Sequence, residues 1–101
     1  MNPAYEPLFT PFSIRNTRIK NRYFMAAMGT VTHNDEDGAY LPDAVDYFVR
    51  RAAGGVGLII TGANWVDNNI EVDSPGSCPG PTICPGKYIK AARELTDRVH
   101  A

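Results

Sequence analysis

The sequence predicts an α/β protein built from β-α units whose strands run parallel. Three observations carry that expectation. The first is the apolar stretch Tyr23-Phe24-Met25-Ala26-Ala27-Met28, and the second is Val56-Gly57-Leu58-Ile59-Ile60-Thr61, each opening into small residues. The third is a helical pattern between them that stops at Gly54 and Gly55. In parallel sheets the carboxyl ends of the strands face a common crevice, so the loops after these two strands are where a cofactor is expected.

Before the first of these strands, Phe12, Ile14 and Ile19 flank Arg15-Asn16-Thr17-Arg18, and the asparagine marks a turn between two short strands. Residues 23–27 form a continuous apolar run between Arg22 and Gly29, the pattern of a strand buried on both faces. Asp35-Glu36-Asp37-Gly38 then reads as a solvated turn, without the spaced oxygen ligands of a calcium loop. Pro42 suits a first helical turn, and Val45, Phe48, Val49 and Ala52 fall on one helical face. Gly54 and Gly55 end that helix as a left-handed cap requires. The chain between the two strands is long enough for the crossover helix that parallel pairing demands.

Residues 66–85 are rich in Asn, Asp, Gly and Pro and show no sustained period, so they read as a long loop at the carboxyl end of the second strand. A second helix is expected over residues 87–100, with Ile89, Ala92, Thr96 and Val99 on one face and Glu94 paired with Arg98. The order is hairpin, strand, helix, strand, helix. Two parallel strands leave bare edges and cannot cover their own apolar faces, so the pattern reads as the beginning of something larger. An eight-fold β/α barrel takes roughly 250 residues, of which this chain would supply a little under half.

Composition narrows the function. The 101 residues carry a net charge of −1 with scattered basic residues, which argues against nucleic acid or an anionic membrane as partner. Apolar runs fall well short of the roughly 20 residues of a membrane span, and Met1 is followed by polar residues and prolines. A cytoplasmic location is the expectation. Cys78 and Cys84 are separated by five residues, which matches no zinc, redox or disulfide spacing, and they read as reduced loop cysteines. Gly54, Gly55 and Gly57 end a helix and enter a strand, the reverse of the order in a dinucleotide-binding loop. His33 and Asn34 after the first strand, and Asn64 and Trp65 after the second, could line a substrate site, though a solvated or packing role is commoner for each. His100 suits the dipole of the last helix. No residue presents itself as a metal ligand.

Leu8-Phe9-Thr10-Pro11, Ile19-Lys20-Asn21-Arg22, Met25-Ala26-Ala27-Met28 and Arg51-Ala52-Ala53-Gly54-Gly55-Val56-Gly57-Leu58-Ile59-Ile60 closely resemble the amino-terminal part of Old Yellow Enzyme-type flavin oxidoreductases, in order and almost end to end. Asp46-Tyr47-Phe48 and Thr61-Gly62 look most like the branch of 2-enoate reductases, 2,4-dienoyl-CoA reductases and bile-acid-inducible steroid reductases. The resemblance implies the hairpin and first two β/α units of an FMN-binding eight-fold barrel, residues 1–101 being one segment of it. It implies hydride transfer from NAD(P)H through FMN to an activated double bond of an enone, enoate or enoyl-CoA-like substrate. It also implies that Ala26, Ala27, Met28 and Gly29, with Ala63 after the next strand, contact the flavin, small residues allowing main-chain approach to the ring. The family usually has proline at the position of Ala27 and Thr, Cys or His at that of Gly29, a contact that Thr30 is placed to replace. Its substrate-polarising pair, proton donor, flavin-facing cation and phosphate loop fall later in the chain, so no catalytic residue is assigned. FAD and a 4Fe-4S cluster belong only to a longer form of the branch, and Cys78 and Cys84 do not match its cluster ligands.

Two other readings stand beside this one. One is a truncated, non-catalytic piece that acts through oligomerisation or interaction of its strand edges, a homo-oligomer being one such arrangement. The other is an unrelated flavin barrel of the dihydroorotate dehydrogenase type, which lacks the pattern from Lys20 to Met28.

Overall fold

The computed structural model describes residues 2–29, 39–64 and 87–101. A 3-10 turn, Pro3–Tyr5, leads into one helical turn, α1 (Glu6–Phe9). Asn2 caps the first, its Oδ1 accepting from the Ala4 N–H at 3.0 Å, and the Thr10 hydroxyl donates to the Glu6 carbonyl at 3.0 Å. Sequence periodicity cannot reveal elements this short. Strands β1 (Phe12–Ile14) and β2 (Thr17–Ile19) form the expected antiparallel hairpin, with Phe12 opposite Ile19 and Ile14 opposite Thr17. Asn16 signals the turn, but Arg15 takes the left-handed conformation, at φ 50°.

Strand β3 (Phe24–Met28) pairs in parallel with β4 (Leu58–Thr61), and α2 (Pro42–Ala53) makes the crossover between them. The β-α-β unit expected from the sequence is therefore present. Its register is Phe24 to Leu58 and Met25 to Ile59, then Met28 to Thr61. Three steps along β3 match two along β4, so β3 carries a bulge at Ala26–Ala27. The expectation that β3 is buried on both faces is not met. Phe24 and Met28 are 50% and 56% exposed, and Ile60 on β4 is 49% exposed. Within this chain helices cover one face of the sheet, where Met25 and Ile59 pack, and no second layer covers the other among the described residues.

Helix α2 starts at Pro42, whose missing N–H costs nothing in a first turn. Its end is a Schellman closure: the Gly55 N–H donates to the Ala52 carbonyl at 3.0 Å and the Val56 N–H to the Arg51 carbonyl at 3.4 Å. Gly55 takes φ +100°, whereas Gly54 remains right-handed at φ −69°. The exit occupies Val56 and Gly57, which is why β4 begins at Leu58 rather than at Val56. The face α2 buries is Ala44, Val45 and Phe48, with Val49 partly buried and Ala52 at the margin.

Helix α3 (Lys87–His100) packs on α2. Its inward stripe is Ala91, Leu95 and Val99, an i, i+4, i+8 row, rather than the expected row through Ile89 and Thr96. Ile89 is exposed, and the Thr96 hydroxyl donates to the Arg93 carbonyl at 2.9 Å. Leu95 outweighs the smaller residues of the expected row, and its burial sets the rotation of the helix. The core comprises Tyr40, Ala44, Val45, Phe48 and Leu95, with Tyr40 and Tyr47 each packing edge-on against Phe48. Tyr40, just before α2, is a core residue that the periodic pattern does not include.

Candidate functional site at the carboxyl ends of the strands

Ala26 and Ala27 stand in the bulge of β3, Met28 ends the strand, Gly29 follows it, and Ala63 lies just past β4. All five are exposed. The two strand ends meet at glycines. A Cβ built on Gly62 would fall 2.5 Å from the Gly29 Cα and 2.7 Å from the Gly29 nitrogen, so the two main chains pass where no side chain fits between them. Ala63 continues directly from that crossing. The five residues expected at a cofactor thus come together at one end of the sheet.

The bulge explains which way they face. In an unbroken strand Met25 and Met28 would point to opposite sides. Here both turn toward the helical layer: Met25 packs against the core, and the Met28 sulfur accepts from the Tyr47 hydroxyl at 3.1 Å. The Arg51 guanidinium lies 3.4 Å from the centre of the Tyr47 ring, and its N–H donates to the Tyr47 carbonyl at 2.8 Å. The two alanines between the methionines are left opposite Ile60, which is exposed on the face away from the helices. Methyl groups are the largest side chains the bulge itself presents there.

Beyond Ala63, Asn64 closes the turn. Its amide donates to the Gly62 carbonyl at 3.1 Å, and its Oδ1 accepts from the Tyr40 hydroxyl at 3.4 Å. Asn64, read from the sequence as a wall of a substrate site, therefore has a structural task. Thr30, His33, Asn34, Asp35, Glu36, Asp37, Trp65, Cys78 and Cys84 lie outside the described residues. A separate cavity of about 280 Å³ is lined by Asp43, Asp46, Tyr47, Arg50 and Arg51, all from α2, and takes in none of the five residues.

At the opposite end of the sheet Asn21 is buried, with 9% of its surface accessible. Its Nδ2 donates to the Gly55 carbonyl at 2.6 Å and its Oδ1 accepts from the Tyr23 N–H at 3.0 Å. Sequence reading uses Asn21 as a family marker and assigns it no task. Its signal is an amide-bearing residue directly before an apolar strand, which local patterning does not distinguish from a loop asparagine.

No helix among the described residues is long and apolar enough to cross a membrane. Residues 7–101 match the pattern of the NADH:flavin oxidoreductase / NADH oxidase family. The chain is 43% identical over 101 residues to a cinnamate reductase of Clostridium sporogenes, an alignment covering 100% of this chain and 15% of that protein. It is 40% identical over 94 residues to an NADPH dehydrogenase of Bacillus velezensis, covering 93% of this chain and 27% of that one. The crystal structure of Old Yellow Enzyme from Pichia sp. AKU4542 superimposes with a TM-score of 0.79 at 23% identity, over 93% of this chain and 23% of that one, a likeness of fold. The chain spans between about a seventh and about a quarter of the relatives it matches, and its two β/α units do not by themselves close the barrel. With the hairpin, the parallel β-α-β unit and the matched residues running in the same order throughout, the chain belongs to the NADH:flavin oxidoreductase / NADH oxidase family, the family of Old Yellow Enzyme.

Proposed function

We propose that residues 1–101 are the amino-terminal portion of an FMN-binding β/α-barrel domain, and that Ala26, Ala27, Met28, Gly29 and Ala63 hold one side of the flavin. The observation that carries this is the crossing of Gly29 with Gly62 beside two bulged alanines, all on the sheet end where parallel folds bind ligands. A planar ring needs a smooth wall of small residues and close main-chain groups, and these residues supply both. The bound flavin would carry hydride from NAD(P)H to an activated carbon–carbon double bond. This chain's residues bind and orient: the alanines leave room for the ring, Gly29 and Gly62 bring main chain to its edge, and the Tyr47–Met28 contact keeps the methionine side chain turned to the helices. A cytoplasmic setting goes with a nicotinamide reductant.

The proposed substrate is a small enoate, enone or enoyl-CoA-like molecule. The support is the name of the 43%-identical relative, since cinnamate is an α,β-unsaturated carboxylate. The 101 residues alone are expected not to turn over. A second reading, a non-catalytic piece that associates through its strands, is favoured by the exposed Phe24 and Ile60.

Titrating the purified chain with FMN, with flavin fluorescence and solution mass followed together, separates the two. Saturable binding that is lost in Gly62→Ala supports the flavin site. A defined oligomer with no FMN binding supports the second reading.

A further inference from the structure

We propose that Asn21 is a positioning residue for the flavin-binding segment, fixing the register of β3 against β4 from the far end of the sheet; this rests on the assignment of Ala26, Ala27, Met28, Gly29 and Ala63 to the flavin. Among the described residues Asn21 is the one buried polar side chain. Both ends of its carboxamide are engaged, the Nδ2 by the Gly55 carbonyl and the Oδ1 by the Tyr23 N–H. The Tyr23 carbonyl in turn accepts from the Gly57 N–H at 2.9 Å and the Leu58 N–H at 3.3 Å. The start of β3 is thus tied to the left-handed exit of α2 and to the start of β4 by one ring of hydrogen bonds.

The ring tolerates little displacement. A Cβ on Gly57 would fall 2.5 Å from the Asn21 Oδ1 and 2.7 Å from the Asn21 carbonyl oxygen, so Gly57 is the floor on which the carboxamide rests. From this point the ladder runs Phe24 to Leu58 and Met25 to Ile59, passes the bulge, and brings Gly29 against Gly62. Burial of one face already opposes a one-residue slip, because the slip moves every side chain of the strand to the other face, and the Asn21 ring adds a directional tie at the start of the ladder. A slip of β3 by one residue would turn Met25 away from the core and set Met28 or Thr30 where Gly29 crosses Gly62, a place with no room for a side chain. Asn21 therefore decides, from outside the site, whether Ala26 to Gly29 present their main chain to a flavin.

The test compares Asn21→Ala and Asn21→Asp with the unaltered full chain by amide NMR, hydrogen exchange and FMN titration. Alanine removes both hydrogen bonds; aspartate keeps the acceptor and sets a carboxylate against the Gly55 carbonyl. Both variants are expected to speed exchange at Gly57 and Leu58 by about 10-fold or more. The amides of residues 25–29 and 61–63 are expected to shift or split, FMN affinity to fall by about 10-fold, and the Phe48 and Leu95 side-chain signals to stay in place. Loss of stability with the 25–29 and 61–63 amides unmoved would overturn the proposal and leave Asn21 a purely structural residue. If neither variant folds, hydrogen exchange in the unaltered chain decides. Tyr23, Gly57 and Leu58 must then exchange more slowly than Met28 and Thr61, and the reverse order overturns the pin. Moved amides in the variants with no FMN binding by the unaltered chain support the pin and overturn the flavin assignment instead.

Discussion

Gly55 and Gly62 each stand at an element's end, and each is glycine for a different physical reason. Gly55 has open space around a virtual Cβ but sits at φ +100°, so an alanine there strains the backbone. Gly62 has an ordinary φ but no space, its neighbour being the Gly29 main chain. Gly55→Ala is expected to lower stability by about 1–2 kcal/mol and, through the Asn21 tie to its carbonyl, to weaken FMN binding without abolishing it. Gly62→Ala is expected to cost about 1–3 kcal/mol by overpacking and to abolish FMN binding, because the strand ends must part. Thermal denaturation and flavin fluorescence on the same samples separate the two outcomes. The sequence makes Gly54 and Gly55 legible as a cap, but it does not say which of them turns left-handed. The role of Gly62 is not legible at all, since its neighbour Gly29 is distant in the chain and meets it only once β3 and β4 pair.

At the scale of elements, α2 and α3 hold together through apolar contact rather than charge. Phe48 is fully buried and Leu95 nearly so. Phe48→Ala is expected to cost about 3–5 kcal/mol and Leu95→Ala about 2–5 kcal/mol, measured by urea denaturation, with α3 released from α2. The ion pairs behave differently. Arg98 donates to Asp46 at 2.6 Å and approaches Glu94 at 3.5 Å, with all three side chains substantially exposed. The hydrogen bond to Asp46 is the main cause that raises the guanidinium pKa above its already high ordinary value, with Glu94 adding to it. A cation whose folded pKa is raised contributes its full effect below the unfolded pKa and loses it only as pH rises through the folded one. Both values lie far above neutrality, so Arg98→Gln should not alter the pH dependence of Tm between about pH 6 and about pH 9; it should remove a salt-sensitive increment. A change in the pH profile would mean that Arg98 acts through another titrating group. Periodicity shows that both helices exist, and Glu94 with Arg98 is readable as a pair. The rotation of α3 and the Asp46 partner are not, because the first follows from where Leu95 finds the α2 surface and the second links residues far apart in sequence.

For the molecule as a whole, the sheet has helices on one side and Phe24 and Ile60 open on the other. Apolar strand faces with free edges associate. Light scattering on the 101-residue chain is therefore expected to show mass rising with concentration, and Ile60→Lys to suppress that rise with the helical signal retained. A monomer at all concentrations in the unaltered chain would show that its open face is covered by other means.

The sequence by itself determined the hairpin, the two longer strands and the two longer helices in their order, and the parallel sense of the main strand pair, while its resemblance to known enzymes gave the family. Those are properties of local pattern: period, capping and residue size act over a few neighbours and survive in any fold that contains them. Tertiary structure alone decided the bulge at Ala26–Ala27, the crossing of Gly29 with Gly62, the rotation of α3, and the tie from Asn21 to the exit of α2. Each of these is a contact between distant parts of the chain, and its geometry depends on how two surfaces meet. The open face of the sheet is of the same kind, since an apolar strand is buried only when something in space lies over it.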